Sequence, residues 1–313
     1  MSITLTPWHG QKIDRPGAYI GVPMEVYHGD PCVGPSISSS GLRRIFTASL
    51  RHYWDSSVYN PNREEMTSTD AMVLGRAAHH LLLGEESFSS LYIVRPEEAP
   101  DGRAWNMNNK TCKEWVAARE AEGLTVLKPS QVEQIRGIST ALAAEPMIQG
   151  GCLSGLIEVS FFWQDDETGI WCKARPDAVP EDSLSVFDLK VTGEIGDDEL
   201  QRNLSNHGYH QQGALVDEAF TKIFGLRMTD FSLVYAESTR PHCVRIERII
   251  DEDIDLGHKA NRAALRAFAW ALKNNEWPGP KSPTGDVGNI RLAPWARTRA
   301  EARATRMLQE FPA

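Results

Sequence analysis

The stretch that decides the fold runs from Gly155 to Lys190 and reads GLIEVSFFWQDDETGIWCKARPDAVPEDSLSVFDLK. Alternating apolar residues predict consecutive strands within it. The predicted strands span residues 155–163, 170–179 and 184–190, with turns at Asp166–Gly169 and Pro180–Ser183. Strands joined by such short turns pair antiparallel, so the stretch predicts a three-strand antiparallel meander.

Four polar residues on this meander have the chemistry of a metal-assisted phosphodiester cleavage site: Glu158, Asp177, Asp188 and Lys190. Magnesium held by two or three carboxylates can activate water and neutralise phosphate charge. Asp188 and Lys190 are two residues apart and project from the same face of a strand, where the lysine can stabilise developing negative charge. Glu158 is a third ligand or a supporting group. The alternative is a surface salt bridge between Asp188 and Lys190 beside an unrelated Asp177.

Composition describes an ordinary globular protein. The chain has 313 residues, 41% hydrophobic and 24% charged, which suffices for one large domain or a domain with appendages. No apolar run is long enough to span a membrane, and the N-terminus does not resemble a secretory signal. Five scattered cysteines without a CxxC pair favour a reducing compartment, so we expect a cytoplasmic protein.

The formal net charge of −9 does not by itself attract DNA, but the charge is uneven. Residues 291–306 hold five arginines and a single acid, Glu301. Arg43, Arg44 and Arg51 cluster on an early segment. A locally basic channel and ordinary solvated surface charge both remain open for each cluster.

The segment with these early arginines predicts a helix that starts near Gly41. Its apolar stripe consists of Leu42, Ile45, Phe46 and Leu50, and Ser38 or Ser40 can cap it. Its other face shows the three arginines. The helix either docks on the core with a solvated face or faces DNA.

A second helix begins at Thr69 or Asp70 and is predicted to close at Gly84. Its wide apolar arc predicts that it is largely buried. Gly75 lies one turn before His79 on the same face, and a glycine there costs helix stability. We therefore expect the helix to approach a sheet closely, with His79 over the strand ends. His79 is either a metal ligand or a hydrogen-bonded core histidine.

The predicted elements follow one another along the chain in the order helix, three strands, helix, strands, helix. A helix or pair of helices follows Lys190, with Tyr209, Gln212, Leu215 and Val216 on one face. Two more strands and a long helix then complete the predicted domain. Residues 1–35 predict an extended arm with little regular structure, and residues 278–313 a loosely ordered tail rich in Pro, Gly and Arg.

These motifs together resemble the PD-(D/E)XK nuclease superfamily. Pro176-Asp177 and Asp188-Leu189-Lys190 match its signature, and Gly75 to His79 resembles the GxxxH helix of the RecB-like branch. Residues 173–182, 209–212 and 36–42 are similar to segments of phage and prophage exonuclease VIII proteins. The resemblance covers roughly residues 20–275.

The resemblance implies an α/β (α+β) fold with a restriction-endonuclease-like core, in which helices flank a central mixed sheet that contains the antiparallel three-strand meander. The exonuclease domain would span residues 36–277. The implied metal ligands are His79, Asp177 and Asp188, with Glu158 as a weaker assignment. Lys190 would be the catalytic lysine, and Gln212 and Tyr209 would position the reacting groups. The implied metal is Mg²⁺, with Mn²⁺ also suited because of the histidine.

The same resemblance implies a double-stranded DNA substrate. The enzyme would degrade one strand from its 5′ end and leave a 3′ overhang for recombination, with a single-strand annealing protein as partner and a homo-oligomeric ring as assembly. Two departures stand out. The wider branch would have tyrosine at position 216, where this chain has Val216, and no cysteine follows Cys243, so we expect no iron–sulfur cluster. The alternatives are a repair or structure-specific endonuclease of the same superfamily and a non-catalytic DNA-binding module.

Overall fold

Apolar strands form two five-stranded sheets in the computed structural model, which describes residues 4–64, 68–83, 88–181, 183–281 and 288–311. The strands are β1 Leu5–Pro7, β2 Gly17–Ile20, β3 Ser36–Ser38, β4 Tyr92–Val94, β5 Thr125–Leu127, β6 Leu156–Ile157, β7 Ser160–Gln164, β8 Trp171–Ala174, β9 Ala178–Val179, β10 Ser185–Thr192, β11 Asp230–Glu237 and β12 Val244–Arg248. The helices are α1 Met24–His28, α2 Ser39–Thr47, α3 Leu50–Ser56, α4 Asp70–Leu83, α5 Phe88–Leu91, α6 Lys110–Ala121, α7 Pro129–Ala144, α8 Pro146–Gln149, α9 Asp197–His207, α10 Tyr209–Phe224, α11 Asp251–Asn274 and α12 Pro294–Glu310.

The chain divides into two compact units, Met1–Trp277 and Pro278–Ala313. The first unit holds both large sheets, in the orders β1-β2-β7-β8-β3 and β12-β11-β10-β9-β6. The predicted mixed α/β fold is confirmed. Among the described residues, no helix combines the length and the apolar character that crossing a bilayer requires.

The centre of the second sheet is the parallel pair β10 and β11. Parallel neighbours need a crossover connection, which α9 and α10 supply. One face of the pair packs on α10 and α11 through residues such as Val186 and Leu233. The opposite face, with Leu189 and Val234, packs with Ile138 of α7.

Two glycines let α10 and α11 approach each other closely. A Cβ atom on Gly257 would lie 2.4 Å from the carbonyl oxygen of His210, and one on Gly213 would lie 2.7 Å from Cδ1 of Ile254. Gln211 and Asn261 are buried beside this contact and exchange hydrogen bonds of 2.8 and 3.1 Å. These contacts hold α10 tightly against α11.

The predicted meander is divided between the two sheets. β7 and β8 form an antiparallel hairpin in the first sheet, and β9 pairs antiparallel with β10 in the second. Glu158 adopts a left-handed φ of 51° between β6 and β7, which interrupts the first predicted strand. Pro176, which lacks an N–H for the strand ladder, falls in the break between β8 and β9. Asp182 of the second predicted turn and Gly84 lie outside the described residues.

The first 35 residues have more regular structure than predicted. β2 pairs antiparallel with β7, and β1 pairs with β2. Two cations of the stretch 173–175 hold this segment in place. Lys173 Nζ donates hydrogen bonds to the carbonyl oxygens of Tyr27 and Gly29 at 2.6 and 2.9 Å, and Arg175 donates to that of Val22 at 2.6 Å.

Two helix predictions and the prediction for the C-terminal tail were wrong in part. The helix predicted near Gly41 is two helices, because Ser49 accepts a hydrogen bond from the His52 N–H and begins α3. Phe46 of its predicted stripe is 53% exposed. A Cβ atom on Gly75 would meet no atom of the described residues within 4 Å, so the expected close approach of α4 to a sheet does not occur at this position. The tail, predicted to be loosely ordered, contains α12 because its alanines and arginines favour helix.

Candidate active site

β10 places an acid and a base side by side at the centre of the second sheet. Since side chains alternate along a strand, Asp188 and Lys190 face α10, whereas Phe187 and Leu189 pack on the α7 side. Asp188 is 1% exposed and forms an ion pair with Lys190. The predicted shared face of these two residues is confirmed.

Asp177 joins this pair through the backbone of β10. Its Oδ2 accepts a hydrogen bond of 2.6 Å from the N–H of Leu189, the residue between Asp188 and Lys190. The break at Pro176 turns Asp177 out of the β8 ladder, and the side chain is buried. The break that divides the meander thus fixes the first carboxylate against the strand that holds the second.

Burial and the nearby charge of Asp188 raise the pKa of Asp177 from its usual 3.8 to about 6, against the lowering effects of His79 and Lys190. Two buried carboxylates at one point repel each other, and a cation offsets that repulsion. This shift is typical of a functional site and of a site built to hold a metal ion.

α4 and the Glu158 turn supply further donor groups beside Asp177. Nδ1 of His79 lies 3.5 Å from Asp177 Oδ2. The Glu158 N–H donates to the backbone oxygen of Asp177 at 3.1 Å. One ligand atom from each of His79, Glu158 and Asp177 lies within 4.8 Å of the others. The left-handed backbone at Glu158 is what turns this carboxylate toward the aspartate.

This donor set fits a divalent cation. Carboxylate oxygens suit Mg²⁺ and Mn²⁺, and an imidazole favours Mn²⁺ over Mg²⁺. The structure brings three of the four predicted ligands, His79, Glu158 and Asp177, within 4.8 Å of one another, and Asp188 is not part of this group. Asp188 is instead engaged by Lys190 and by α10.

α10 completes the site from above β10. Nε2 of Gln212 donates a hydrogen bond of 2.7 Å to Oδ1 of Asp188. Nζ of Lys190 lies 4.8 Å from the centroid of the Tyr209 ring, a cation–π contact. Burial alone would lower the pKa of Lys190, but Asp188, Asp177 and Tyr209 raise it overall. The ammonium group is therefore protonated at neutral pH.

The position where the wider branch has tyrosine is part of the hydrophobic core in this chain. Val216 is 2% exposed and packs with the residues of the α10–α11 core. The aromatic contact to Lys190 comes from Tyr209, near the start of α10. Burial is the main cause that raises the Tyr209 pKa.

Sequence reasoning missed one cation at this site. The sequence places Arg43 with Arg44 and Arg51 on a face that is either solvated or turned to DNA, whereas in the structure Arg43 Nη1 donates a hydrogen bond of 2.6 Å to the carbonyl oxygen of His207. A Cβ atom on Gly208, which connects α9 to α10, would lie 3.0 Å from Arg43 Cδ. The available signal was the position of Arg43 directly after Leu42, at the edge of the buried stripe.

With the fold and the site defined, known proteins can be compared with the chain. A family model described as "PDDEXK-like domain of unknown function (DUF3799)" matches residues 43–286. The chain belongs to this family. The predicted membership of the PD-(D/E)XK superfamily is confirmed, and the PDDEXK-like domain contains β10, α10 and the carboxylates described above. No curated protein matches the chain.

One of two similar solved structures supports the PDDEXK-like fold. A protein named "Putative exonuclease", from Eubacterium rectale, is 15% identical, covers 85% of this chain and 93% of its own, and gives a TM-score of 0.55. A phage related exonuclease from Haemophilus somnus 129PT is 13% identical, covers 64% of this chain and 95% of its own, and gives a TM-score of 0.31. At 15% identity the first structure is similar in fold alone, and a TM-score of 0.31 is too low for the second to support a shared fold.

Proposed function

We propose that the protein is a divalent-metal-dependent exodeoxyribonuclease that hydrolyses the phosphodiester bonds of duplex DNA. The observation that carries the proposal is the contact of Asp177 with the strand that holds the Asp188–Lys190 ion pair. Two buried carboxylates and a protonated lysine meet at one point of β10, which is the group arrangement that phosphodiester hydrolysis uses. The family and the fold of the "Putative exonuclease" from Eubacterium rectale support it.

The metal ligands in this proposal are His79, Asp177, Asp188 and Glu158. A bound Mg²⁺ or Mn²⁺ ion supplies Lewis acidity and neutralises charge on the phosphate. Asp177 is held for this role by the Leu189 N–H.

Lys190 is the catalytic lysine. Its raised pKa keeps the ammonium protonated, so it can donate hydrogen bonds to the attacking water or to a phosphate oxygen. Gln212 fixes the Asp188 carboxylate through its 2.7 Å hydrogen bond, and the Tyr209 ring fixes the lysine head group. Both act as positioning residues.

The finer assignments rest on the resemblance to exonuclease VIII proteins. We propose an exonuclease domain over residues 36–277, digestion from the 5′ end, and 3′ overhangs that serve recombination. A ring-shaped homo-oligomer, a single-strand annealing partner and a location in the bacterial cytoplasm belong to the same proposal.

One set of substrates separates the candidate functions. The purified protein is incubated with Mg²⁺ and a linear duplex with free 5′ ends, the same duplex with blocked 5′ ends, and the sequence as a covalently closed circle. We expect digestion of the free linear duplex only. Cutting of the circle would instead support the endonuclease, and binding of all three substrates without cleavage would support the non-catalytic module.

A further inference from the structure

Arg43 has hydrogen-bond donors without partners beside the proposed catalytic groups. Nη1 is bound to the His207 carbonyl oxygen, whereas Nε is buried without a partner among the described residues. Within the described part of the chain, Arg43 forms no ion pair with a carboxylate. An N–H that is removed from water without an acceptor is costly, so the buried Nε of the half-buried Arg43 is unusual for a purely structural arginine.

The other cations near the site are engaged. Lys190 is paired with Asp188. Lys173 is bound by two backbone carbonyl oxygens. Arg175 donates to Ser160 Oγ at 2.8 Å and lies over the Tyr27 ring. Among the residues that the structure describes, Arg43 differs from these three cations because its guanidinium has one carbonyl partner and an Nε–H without an acceptor.

The electrostatic surroundings place Arg43 beside the reacting groups. Burial lowers its pKa, and the charges of Asp188, Tyr209 and Tyr27 raise it in part. The guanidinium remains charged at neutral pH, because an arginine pKa starts far above that range. Its stem packs over Gly208, the residue before Tyr209, which holds it at the start of α10.

We propose that Arg43 binds a backbone phosphate of the DNA strand in the active site. This inference rests on the proposed nuclease function and names a residue for substrate recognition within it. A guanidinium fork matches the oxygen atoms of a phosphate, and a phosphodiester is the anion that a nuclease site receives at every turnover. The proposal also decides between the two alternatives for the first helix: Arg43 faces the substrate, while Arg44 is exposed to solvent.

The test compares three variants on a linear duplex with Mg²⁺. Arg43→Met keeps the stem over Gly208 and removes the charge, Arg43→Lys keeps a charge without the fork, and Arg44→Met is the charge-matched control. We expect Arg43→Met to lower kcat/KM roughly 10- to 100-fold, with partial rescue in Arg43→Lys. Arg44→Met should stay within about twofold of the wild type. Thermal unfolding verifies that each variant is folded.

Substrates with single methylphosphonate linkages separate phosphate binding from a structural role. Neutralising the linkage that Arg43 contacts should slow the wild type but not slow Arg43→Met further. The inference would be overturned if every neutral linkage slowed Arg43→Met by the same factor as the wild type. It would also be overturned if Arg43→Met kept the wild-type kcat/KM. These results differ from failure of the proposed function, in which the wild type and Arg44→Met would both leave the duplex intact.

Discussion

Nε2 of Gln212 donates a 2.7 Å hydrogen bond to Oδ1 of Asp188, so α10 fixes the orientation of a carboxylate on β10. Gln212→Glu keeps the shape but replaces the donor with a second negative charge beside a buried acid. We expect kcat to fall about tenfold or more, because the carboxylate loses its orientation. Gln201→Glu, on the exposed surface of α9, is the control and should retain activity. Equal activity of the two variants in a duplex digestion assay would contradict this role.

Lys190 has two separable effects on the protein. Lys190→Met should lower kcat by about 10²- to 10⁴-fold, because it removes the proton donor at the phosphate. It also leaves Asp188 buried without its ion-pair partner, so the metal-free variant should unfold at a lower temperature than the wild type. Single-turnover digestion and calorimetric melting measure the two effects. Retained turnover would exclude Lys190 from catalysis.

The raised pKa of Asp177 makes stability depend on pH in a defined direction. The folded protein holds this proton more tightly than the unfolded chain, so the stabilisation is complete below pH 3.8 and is lost as the pH rises through about 6. Asp177→Asn should remove this dependence and stabilise the metal-free protein at neutral pH by on the order of 3 kcal/mol. Denaturant titrations at several pH values check it. If the free energy of unfolding changed with pH equally in the wild type and in Asp177→Asn, Asp177 would not titrate in this range.

Glu158 and His79 should each contribute to metal affinity. Glu158→Gln should raise the Mn²⁺ dissociation constant at least about tenfold, equal to about 1.4 kcal/mol. His79→Ala should weaken Mn²⁺ binding more than Mg²⁺ binding, because imidazole prefers the softer ion. Glu114→Gln, on the exposed face of α6, is the matched control. Titration calorimetry measures all of them, and unchanged Mn²⁺ affinity in both site variants would remove these residues from the ligand set.

Two glycine positions test the packing around the site in opposite directions. A Cβ atom on Gly75 meets nothing within 4 Å in the part of the chain that the structure describes, so Gly75→Ala should stabilise the protein by up to about 1 kcal/mol through helix propensity. A Cβ atom on Gly257 would lie 2.4 Å from the His210 carbonyl oxygen, so Gly257→Ala should destabilise by about 1–3 kcal/mol. Urea unfolding of both variants is the measurement. Destabilisation by Gly75→Ala would show that this face of α4 is packed.

The sequence predicted the common face of Asp188 and Lys190, because strand alternation is local and strict. The superfamily was predicted from the resemblance of the motifs. The resemblance also placed His79 and Asp177 on elements that meet. Local patterns could not show that the meander divides between two sheets. That division depends on the left-handed backbone at Glu158 and on the break at Pro176, which tertiary packing selects.

The surroundings of Gly75 and Arg43 could not be predicted from the sequence, because both depend on elements far away in the chain. A glycine in a helix indicates either close packing or open space, and only the neighbouring elements decide which. Arg43 lies on α2, but the groups around it, Asp188, His207 and Tyr209, are more than a hundred residues away in the chain. Contacts of that range leave no periodic signal.

The central claim is that Asp177, Asp188 and Lys190 form a metal-dependent active site that cleaves DNA. Its most direct measurement is the Mg²⁺-dependent release of nucleotides from a labelled linear duplex by the wild type and by Asp177→Asn, which keeps an acceptor for the Leu189 N–H. The proposed function predicts rapid release by the wild type, none with chelator, and a loss of about 100-fold or more in a folded Asp177→Asn variant. Equal release by both proteins, or release that a chelator does not stop, would contradict it.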